Sequence, residues 1–324
     1  MSTLELGHPI PDSVHAISMS LPRWQDVVGY EEKTPAVMDH ITSGYPRFVY
    51  HPFIHKMALQ LGHLPFPSPR VEAMAADFVH RSGLPEADAL KSFWQHTGLI
   101  VSSRQADAYL TGRNVADNPS VRQSLRRQLA DFYDCTEDDV FLEPTGMAAQ
   151  FAALRAVIAH RPGHPTAQLG FPYADTLKLQ QKFGHGVTLL HNLTTIESDL
   201  HELIHRQPLT AAFGEIPGNP LLGSADLSRI TPLLREHGVP LVADDVVATP
   251  FNVDLSPHAD LIATSLTKYL VGTGDVMGGA LICNPRSPFY RELRAIAKAQ
   301  HEELLWIEDA VVLEKQAHGF PERM

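Results

Sequence analysis

The sequence predicts an α/β fold in which a mostly parallel β-sheet is covered by helices on both faces. Between residues 121 and 285, short apolar runs alternate with amphipathic helical segments, which is the pattern of repeated βαβ units. The chain has 324 residues, of which 44% are hydrophobic, so it can bury a large core and form about two domains. In such sheets, ligands bind in the loops beyond the carboxyl ends of the strands.

The elements follow one another in a regular order from residue 121 onward. Helices are predicted at 121–133, 148–160, 176–183, 196–205 and 227–237, and strands at 140–142, 168–171, 187–191, 211–216, 240–246, 261–265 and 279–283. These segments form one predicted α/β domain over 121–285. Residues 1–120 are predicted to be a largely irregular N-terminal extension with helices at 71–82 and 86–96. Within residues 286–324, the helical pattern at 289–318 predicts one long helix or a pair of helices.

The composition argues against several classes of function. Acidic residues outnumber basic ones by 37 to 26, for a net charge of −11, so the chain lacks the basic surface that binds nucleic acid. Cys135 and Cys283 are the only cysteines, which is too few for a disulfide framework and favours a reducing compartment. No apolar run reaches the ~20 residues that span a bilayer, and no secretory signal is apparent. We therefore expect a soluble, cytoplasmic enzyme without a nucleic-acid or membrane partner.

Two residues with useful chemistry follow neighbouring predicted strands. Asp244 ends the apolar run that begins at residue 240, and Lys268 follows the strand at 261–265. Alone, an aspartate at such a place is usually a helix cap, and a lysine is usually solvated. Together they match pyridoxal 5′-phosphate, whose aldehyde forms a Schiff base with a lysine and whose ring nitrogen stays protonated beside a carboxylate.

The phosphate of this cofactor needs hydroxyl groups, free backbone N–H groups and a helix N-terminus. Ser265 and Thr267, on either side of the strand end, can supply the hydroxyls. Thr145-Gly146-Met147, directly before the helix at 148–160, can supply the N–H groups and the helix dipole. The sequence therefore predicts a pyridoxal-phosphate site at the carboxyl edge of the sheet.

Motifs in a fixed order resemble those of the cystathionine γ-synthase family, the pyridoxal-phosphate enzymes of cysteine and methionine metabolism. They lie at 145–149, 173–176, 215–220, 242–250, 265–270 and 275–279. Upstream motifs at 16–22, 28–32, 44–48 and 93–98 resemble the fungal-type cystathionine γ-synthases. The resemblance implies fold type I, with a mostly parallel, seven-stranded type of sheet sandwiched by helices. It also implies that residues 286–324 lead into a C-terminal domain that is missing here.

The resemblance implies a role for each matching residue. Lys268 would carry the Schiff base and move protons on the substrate, and Asp244 would pair with the pyridinium nitrogen. Tyr173 would stack on the ring and assist proton transfer, and Asn219 would contact the ring hydroxyl. The residues that would hold the phosphate are Gly146, Met147, Ser265 and Thr267. Asp245 falls where the family often has asparagine and is the weaker candidate for the ring nitrogen.

Family members also bind the phosphate of a neighbouring chain with a Tyr-x-Arg segment, which implies a homodimer or homotetramer with residues 1–120 at the dimer contact. Two segments compete for this role. Tyr45-Pro46-Arg47 has the right residue types, whereas Ser102-Ser103-Arg104 lies closer to the cofactor motifs. We favour Arg104, with Tyr45 as a replacement for the tyrosine that Ser102 lacks.

The implied reaction is γ-replacement on an O-acylated homoserine with cysteine, giving cystathionine in transsulfuration and methionine biosynthesis. The same motifs occur in γ-elimination and sulfhydrylation enzymes, so a cystathionine lyase or an O-acetylhomoserine sulfhydrylase stays open. The missing C-terminal domain would carry the arginine that binds the substrate carboxylate. A truncated, non-catalytic relative that binds the cofactor is therefore a further alternative.

Other motifs are interpreted as structural. His201-Glu202-Leu203-Ile204-His205 matches the H-E-x-x-H zinc pattern, but its helix lies between two predicted strands and away from the strand ends, so no metal site is predicted. Gly272, Gly274 and Gly278 have the wrong spacing for a dinucleotide fingerprint. Both cysteines are predicted to be small core residues.

Overall fold

The computed structural model describes residues 4–44, 46–48 and 51–324, and its centre is a seven-stranded sheet. The strands in these residues are β1 (Pro9–Ile10), β2 (Ser18–Met19), β3 (Val140–Glu143), β4 (Thr166–Leu169), β5 (Val187–Leu190), β6 (Ala212–Glu215), β7 (Leu241–Asp244), β8 (Leu261–Ser265) and β9 (Gly279–Cys283). The central sheet has the order β3-β9-β8-β7-β6-β4-β5. Strands β4, β5, β6, β7 and β8 are parallel to one another. Strand β9 is antiparallel to its two neighbours, β8 and β3. The predicted mostly parallel sheet is confirmed.

Helices cover both faces of this sheet. They are α1 (Trp24–Glu31), α2 (Pro35–Met38), α3 (Pro52–Leu61), α4 (Pro69–Ser82), α5 (Glu86–Thr97), α6 (Ser103–Leu110), α7 (Pro119–Phe132), α8 (Gly146–His160), α9 (Ala174–Phe183), α10 (Ile196–Arg206), α11 (Leu227–Glu236), α12 (Thr249–Asn252), α13 (Tyr290–Gln300), α14 (Ile307–Ala317) and α15 (Phe320–Arg323). Single-turn 3₁₀ helices lie at Pro46–Phe48 and Glu137–Asp139. Within the described ranges, none of these helices is long and apolar enough to cross a membrane.

Burial explains why the apolar runs form strands. Every residue of β3, β4, β6 and β9 is buried, as expected for strands that are covered on both faces. The edge strand β5 is partly exposed. The sheet therefore presents its loops, and not its faces, to a ligand.

Helix α8 lies between the sheet and the N-terminal helices. Its N-cap Thr145 accepts a hydrogen bond from the N–H of Ala148 at 3.0 Å, which satisfies one of the free donors of the first turn. Leu154 of α8 shares a core cluster with Phe78 of α4 and Phe93 of α5. The N-terminal region and the sheet are therefore joined by a common hydrophobic core.

Helix α14 packs on the opposite face, against α7, whereas α13 packs against α8. Leu129 of α7 and Leu313 of α14 belong to one core cluster with residues of the sheet, and the Arg122 guanidinium donates to the carbonyl oxygen of Leu305 at 2.9 Å. Of the two alternatives for 289–318, the pair of helices is confirmed as α13 and α14.

The prediction of a largely irregular N-terminal region is wrong for α1, α3 and α6. Pro52 occupies the first turn of α3, as Pro69 and Pro119 do in α4 and α7. Proline at that position begins a helix, because its missing N–H would be unpaired there anyway. The side chain of His51 also accepts from the N–H of Phe53 at 3.3 Å. Residues that resemble helix breakers in the sequence are helix starts in the structure.

Leu154→Ala is expected to destabilise the protein strongly, because the side chain of Leu154 is 0% exposed. Removing a buried leucine costs about 2–5 kcal/mol of unfolding free energy. The matched control is Leu59→Ala at a leucine that is 70% exposed, where a change within about 0.5 kcal/mol is expected. Urea unfolding of both variants measures the difference, and equal losses would contradict this account of the core.

Candidate cofactor site

Four elements bring their ends together at the carboxyl edge of the sheet. Glu215 ends β6 and Asp244 ends β7, and these two residues are paired in register. Ser265 ends β8, next to the start of α8 at Gly146. Because parallel strands all end at one edge, residues that are far apart in the sequence form a single site there.

Asp244 is held by two hydrogen bonds and enclosed by other acids. Its Oδ1 accepts from the N–H of Val246 at 3.0 Å, and its Oδ2 accepts from Nε2 of Gln150 at 2.8 Å. Burial of the carboxyl group, together with the charges of Glu215 and Asp245, raises the pKa of Asp244 to about 8. No salt bridge to Asp244 or Glu215 occurs within the described part of the chain.

The side chain of Asp245 is directed towards Tyr133 and not towards the cavity that Asp244 lines. Its Oδ2 accepts from the Tyr133 hydroxyl at 2.8 Å, and the residue is 1% exposed. Asp244 instead lines a small cavity together with Glu215, Gln150 and Tyr173. Of the two adjacent aspartates, Asp244 is therefore the one that can meet a ligand in this cavity.

The N-terminus of α8 lies so close to β8 and β9 that side chains are excluded. A Cβ atom at Gly146 would lie 2.6 Å from Cβ of Ser265, and one at Gly279 would lie 2.1 Å from the carbonyl oxygen of Thr145. Met147 is buried in the first turn of α8. Helix N–H groups and the Ser265 side chain thus share one confined place, which suits a phosphate group.

Thr267 has a different hydrogen-bonding pattern from the one expected. Its hydroxyl accepts from the N–H of Gly278 at 3.1 Å and lies 3.3 Å from the carbonyl oxygen of the same residue. Since the hydroxyl group is engaged by the loop before β9, the phosphate role of Thr267 stays a prediction.

Three further candidate residues follow strands at this edge of the sheet, and of them Tyr173 lines the cavity. Tyr173 precedes α9, and its backbone N–H donates to Oε2 of Glu215 at 2.9 Å. Asn219, in the exposed loop after β6, donates its backbone N–H to Oε1 of Glu215 at 3.3 Å. Lys268 is exposed in the turn that follows β8. Glu215 thus orders two of the loops that carry candidate residues.

Gln150 and Glu215 were not among the predicted site residues, although both left a signal in the sequence. Glu215 ends a buried strand, as Asp244 does. Gln150 is a polar residue within an otherwise apolar stretch of α8 and is 3% exposed. A buried polar side chain needs a partner, and here that partner is Asp244.

The two competing arginines have different partners. Arg104 donates from Nη1 to the carbonyl oxygen of Asp275 at 2.6 Å and lies 3.2 Å from Oδ1 of Asp309. Arg47 instead contacts Tyr173, with Nη2 2.6 Å from the phenol oxygen. Tyr45 lies outside the described residues. In its own chain, Arg47 is therefore the arginine that contacts the candidate site, and the preferred role of Arg104 at a neighbouring phosphate stays a prediction.

The histidines of the H-E-x-x-H motif and Cys283 differ in their surroundings. His201 and His205 are exposed on α10, and no group of three histidine, cysteine or acidic side chains within the described ranges is arranged for a metal ion. Burial raises the pKa of Cys283 to about 12, and Cys283 is fully buried. These residues belong to the scaffold and lie apart from the candidate site.

The comparison with known protein families identifies the relationship. A family model described as "Cys/Met metabolism PLP-dependent enzyme" matches residues 89–308. The chain belongs to this family. Its residues also fit the cofactor that the family uses, because a buried acid without an ion pair suits a pyridinium ring and the glycine-lined start of α8 suits a phosphate.

Individual relatives have several names. The chain is 27% identical over 460 residues to "Cystathionine gamma-synthase-like enzyme iboG2" of Amanita muscaria, with 100% of this chain and 73% of the relative covered. It is 30% identical to "Alanine racemase ungC" of Aspergillus violaceofuscus, with 99% and 72% covered. Among solved structures it resembles cystathionine gamma synthase from Xanthomonas oryzae pv. oryzae in complex with aminoacrylate and cysteine, at 25% identity and a TM-score of 0.53. That match covers 64% of this chain and 52%, about half, of the solved chain.

Asp244→Asn is expected to stabilise the cofactor-free protein more and more as the pH rises. The folded-state pKa of Asp244 is raised from 3.8 to about 8, so the stability contributed by the protonated acid is complete below the lower value and is lost as the pH rises through the upper one. Between these values, the advantage of the variant in unfolding free energy should grow by up to about 1.4 kcal/mol per pH unit. Urea unfolding across this pH range measures it.

The control for this experiment is Asp131→Asn, at an exposed position on α7. It should change the unfolding free energy by no more than about 0.5 kcal/mol, because the side chain is exposed. The difference in unfolding free energy between Asp244→Asn and the unsubstituted protein should depend on pH. A constant difference would contradict the raised pKa of the Asp244 carboxyl group.

Proposed function

We propose that this chain is a pyridoxal-phosphate-dependent enzyme that replaces the γ-substituent of an O-acylated homoserine with cysteine to give cystathionine. The observation that carries the proposal is the enclosed Asp244 carboxyl group, which has no ion pair in the described residues and lies at the same sheet edge as the start of α8. A planar cation with a phosphate substituent satisfies both features at once.

Pyridoxal phosphate, when bound, supplies an electron sink that stabilises negative charge on the substrate carbon. Asp244 would hold the proton on the ring nitrogen, and the positive ring would in turn favour the ionised form of this carboxyl group. Gln150 keeps the carboxylate oriented through its 2.8 Å hydrogen bond. The first N–H groups of α8 at Gly146 and Met147, with the Ser265 hydroxyl, bind the phosphate.

Lys268 provides the amine that binds the cofactor and later moves protons between substrate carbons. Its position in an exposed turn after β8 leaves it accessible to a small amino-acid substrate. Tyr173, which lines the cavity, would stack on the ring, and Asn219 would contact the ring hydroxyl from the loop after β6. These roles agree with the way Glu215 orders both loops.

The choice of reaction is supported by the names of relatives, several of which are cystathionine γ-synthases or are described as resembling them. The residues of the site are common to γ-replacement, γ-elimination and sulfhydrylation. We assign γ-replacement in methionine biosynthesis as the reaction, in a cytoplasmic homodimer or homotetramer. Its proposed regions are an N-terminal extension at 1–120, a cofactor domain at 121–285 and a C-terminal segment at 286–324.

Lys268→Ala is expected to abolish covalent attachment of pyridoxal phosphate, because the chain then lacks the amine that forms the bond. The protein is incubated with the cofactor, reduced with borohydride and digested, and the labelled peptide is identified by mass spectrometry. Lys298→Ala, at an exposed lysine on α13, is the control and should be labelled like the unsubstituted protein. Label on another lysine, or none in the unsubstituted protein, would contradict the assignment.

The unsubstituted protein is expected to form cystathionine from an O-acylated homoserine and cysteine. Products are separated by chromatography after incubation with cysteine, with sulfide, or with cystathionine alone. Formation of homocysteine from sulfide without any use of cysteine would identify a sulfhydrylase. Cleavage of cystathionine as the main activity would identify a lyase, and a lack of any cystathionine formation would overturn the proposed reaction.

A further inference from the structure

A buried ion pair lies directly beside Tyr173. Arg47 is 3% exposed, and its Nη2 lies 2.5 Å from Oδ2 of Asp175. The same nitrogen donates to the phenol oxygen of Tyr173 at 2.6 Å, and the guanidinium carbon lies 5.5 Å from the centroid of that ring. One cation therefore connects a buried carboxylate with the aromatic ring at the mouth of the cavity.

Asp175 holds Arg47 in position. Its Oδ1 accepts from Nε2 of Gln95 at 3.3 Å and lies 3.3 Å from Nδ1 of His96. Burial opposes ionisation, but the hydrogen bond from His96 and the charge of Arg47 outweigh it and lower the pKa of Asp175 to about 2. The carboxylate is therefore charged at neutral pH, as a buried guanidinium requires of its partner.

Helix α5 fixes the backbone next to Arg47. Trp94 is fully buried, and its indole N–H donates to the carbonyl oxygen of Pro46 at 3.1 Å. The same helix supplies Gln95 and His96 to Asp175. Because α5 shares a core cluster with α8, the segment at 46–48 is attached to the element that begins the candidate phosphate site.

Tyr173 is the residue that benefits from this arrangement. Its side chain is 45% exposed, so the core covers only part of the ring. The hydrogen bond from its backbone to Glu215 fixes the main chain only. A ring that stacks on a cofactor must keep its place to within about 0.5 Å, and the contact between Arg47 and the phenol oxygen supplies that restraint.

We propose that Arg47 and Asp175 are positioning residues that hold the ring of Tyr173 against the cofactor, so that the segment at 46–48 belongs to the active site of its own chain. The inference rests on the proposed function, since it needs pyridoxal phosphate in the cavity. It gives Arg47 a role within its own chain in place of a contact with the phosphate of a neighbour.

The test compares cofactor binding with folding. In the full chain, the double variant Arg47→Met with Asp175→Leu removes both charges while keeping similar volumes, so it leaves no unpaired buried charge and should melt near the temperature of the unsubstituted protein. Its dissociation constant for pyridoxal phosphate should nevertheless rise about two- to tenfold, the range for one aromatic contact. The visible circular dichroism of the bound cofactor should fall towards the value of Tyr173→Ala.

Arg122→Lys is the control, because Arg122 is a buried arginine with a 2.6 Å ion pair to Asp117 on the other face of the sheet. It should change the melting temperature but neither the affinity nor the dichroism. Arg47→Lys keeps the charge but cannot contact both partners in the same way, so it should weaken cofactor binding within the same range.

The outcomes separate the two proposals. If the unsubstituted protein binds cofactor through Lys268 and the double variant matches it in affinity and dichroism, the ion pair is only structural and this inference is wrong, while the proposed function stands. If the unsubstituted protein binds no cofactor, both proposals are wrong. A double variant that folds, binds more weakly and loses dichroism supports the positioning role.

Discussion

The close approach of the α8 N-terminus to the ends of β8 and β9 is the constraint on which the site depends. It is possible only because Gly146 and Gly279 have no Cβ atoms, which would lie 2.6 Å from Ser265 and 2.1 Å from Thr145. With the start of α8 fixed in this way, its next turn brings Gln150 to Asp244. One contact between backbones thus determines both the phosphate end and the ring end of the candidate site.

Local patterns were sufficient to predict the central sheet and the place of Asp244 at a strand end, but not which other side chains meet there. The strands are short, apolar and buried, so their sequence alone distinguishes them. Gln150 and the cavity role of Glu215 depend on how helix and strands are placed together, which periodicity does not reveal. Helices α1, α3 and α6 were missed because their segments lack a long periodic pattern, whereas the fold begins α3 at Pro52.

The two arginines show a second limit of sequence reasoning. Nearness along the chain favoured Arg104, which the fold pairs with Asp275 and Asp309. Arg47 is more distant in sequence, yet it contacts Tyr173 because α5 holds its segment against the sheet domain. The spacing of motifs gives distances along the sequence only. The packing of α5 on α8 decides which residues come into contact in the fold.

The pairing of β3 with β9 has a consequence for how the molecule is made. In the described sheet, β3 is an edge strand whose neighbour is β9, and Val140 pairs with Ile282. While the chain is being synthesised, β3 leaves the ribosome long before its partner exists, and the backbone N–H and C=O groups of its edge stay unpaired during that time. Because β9 also pairs with β8, the central sheet is completed only after β9 has emerged. Nascent chains that stall between these strands therefore expose an unpaired, apolar strand to aggregation.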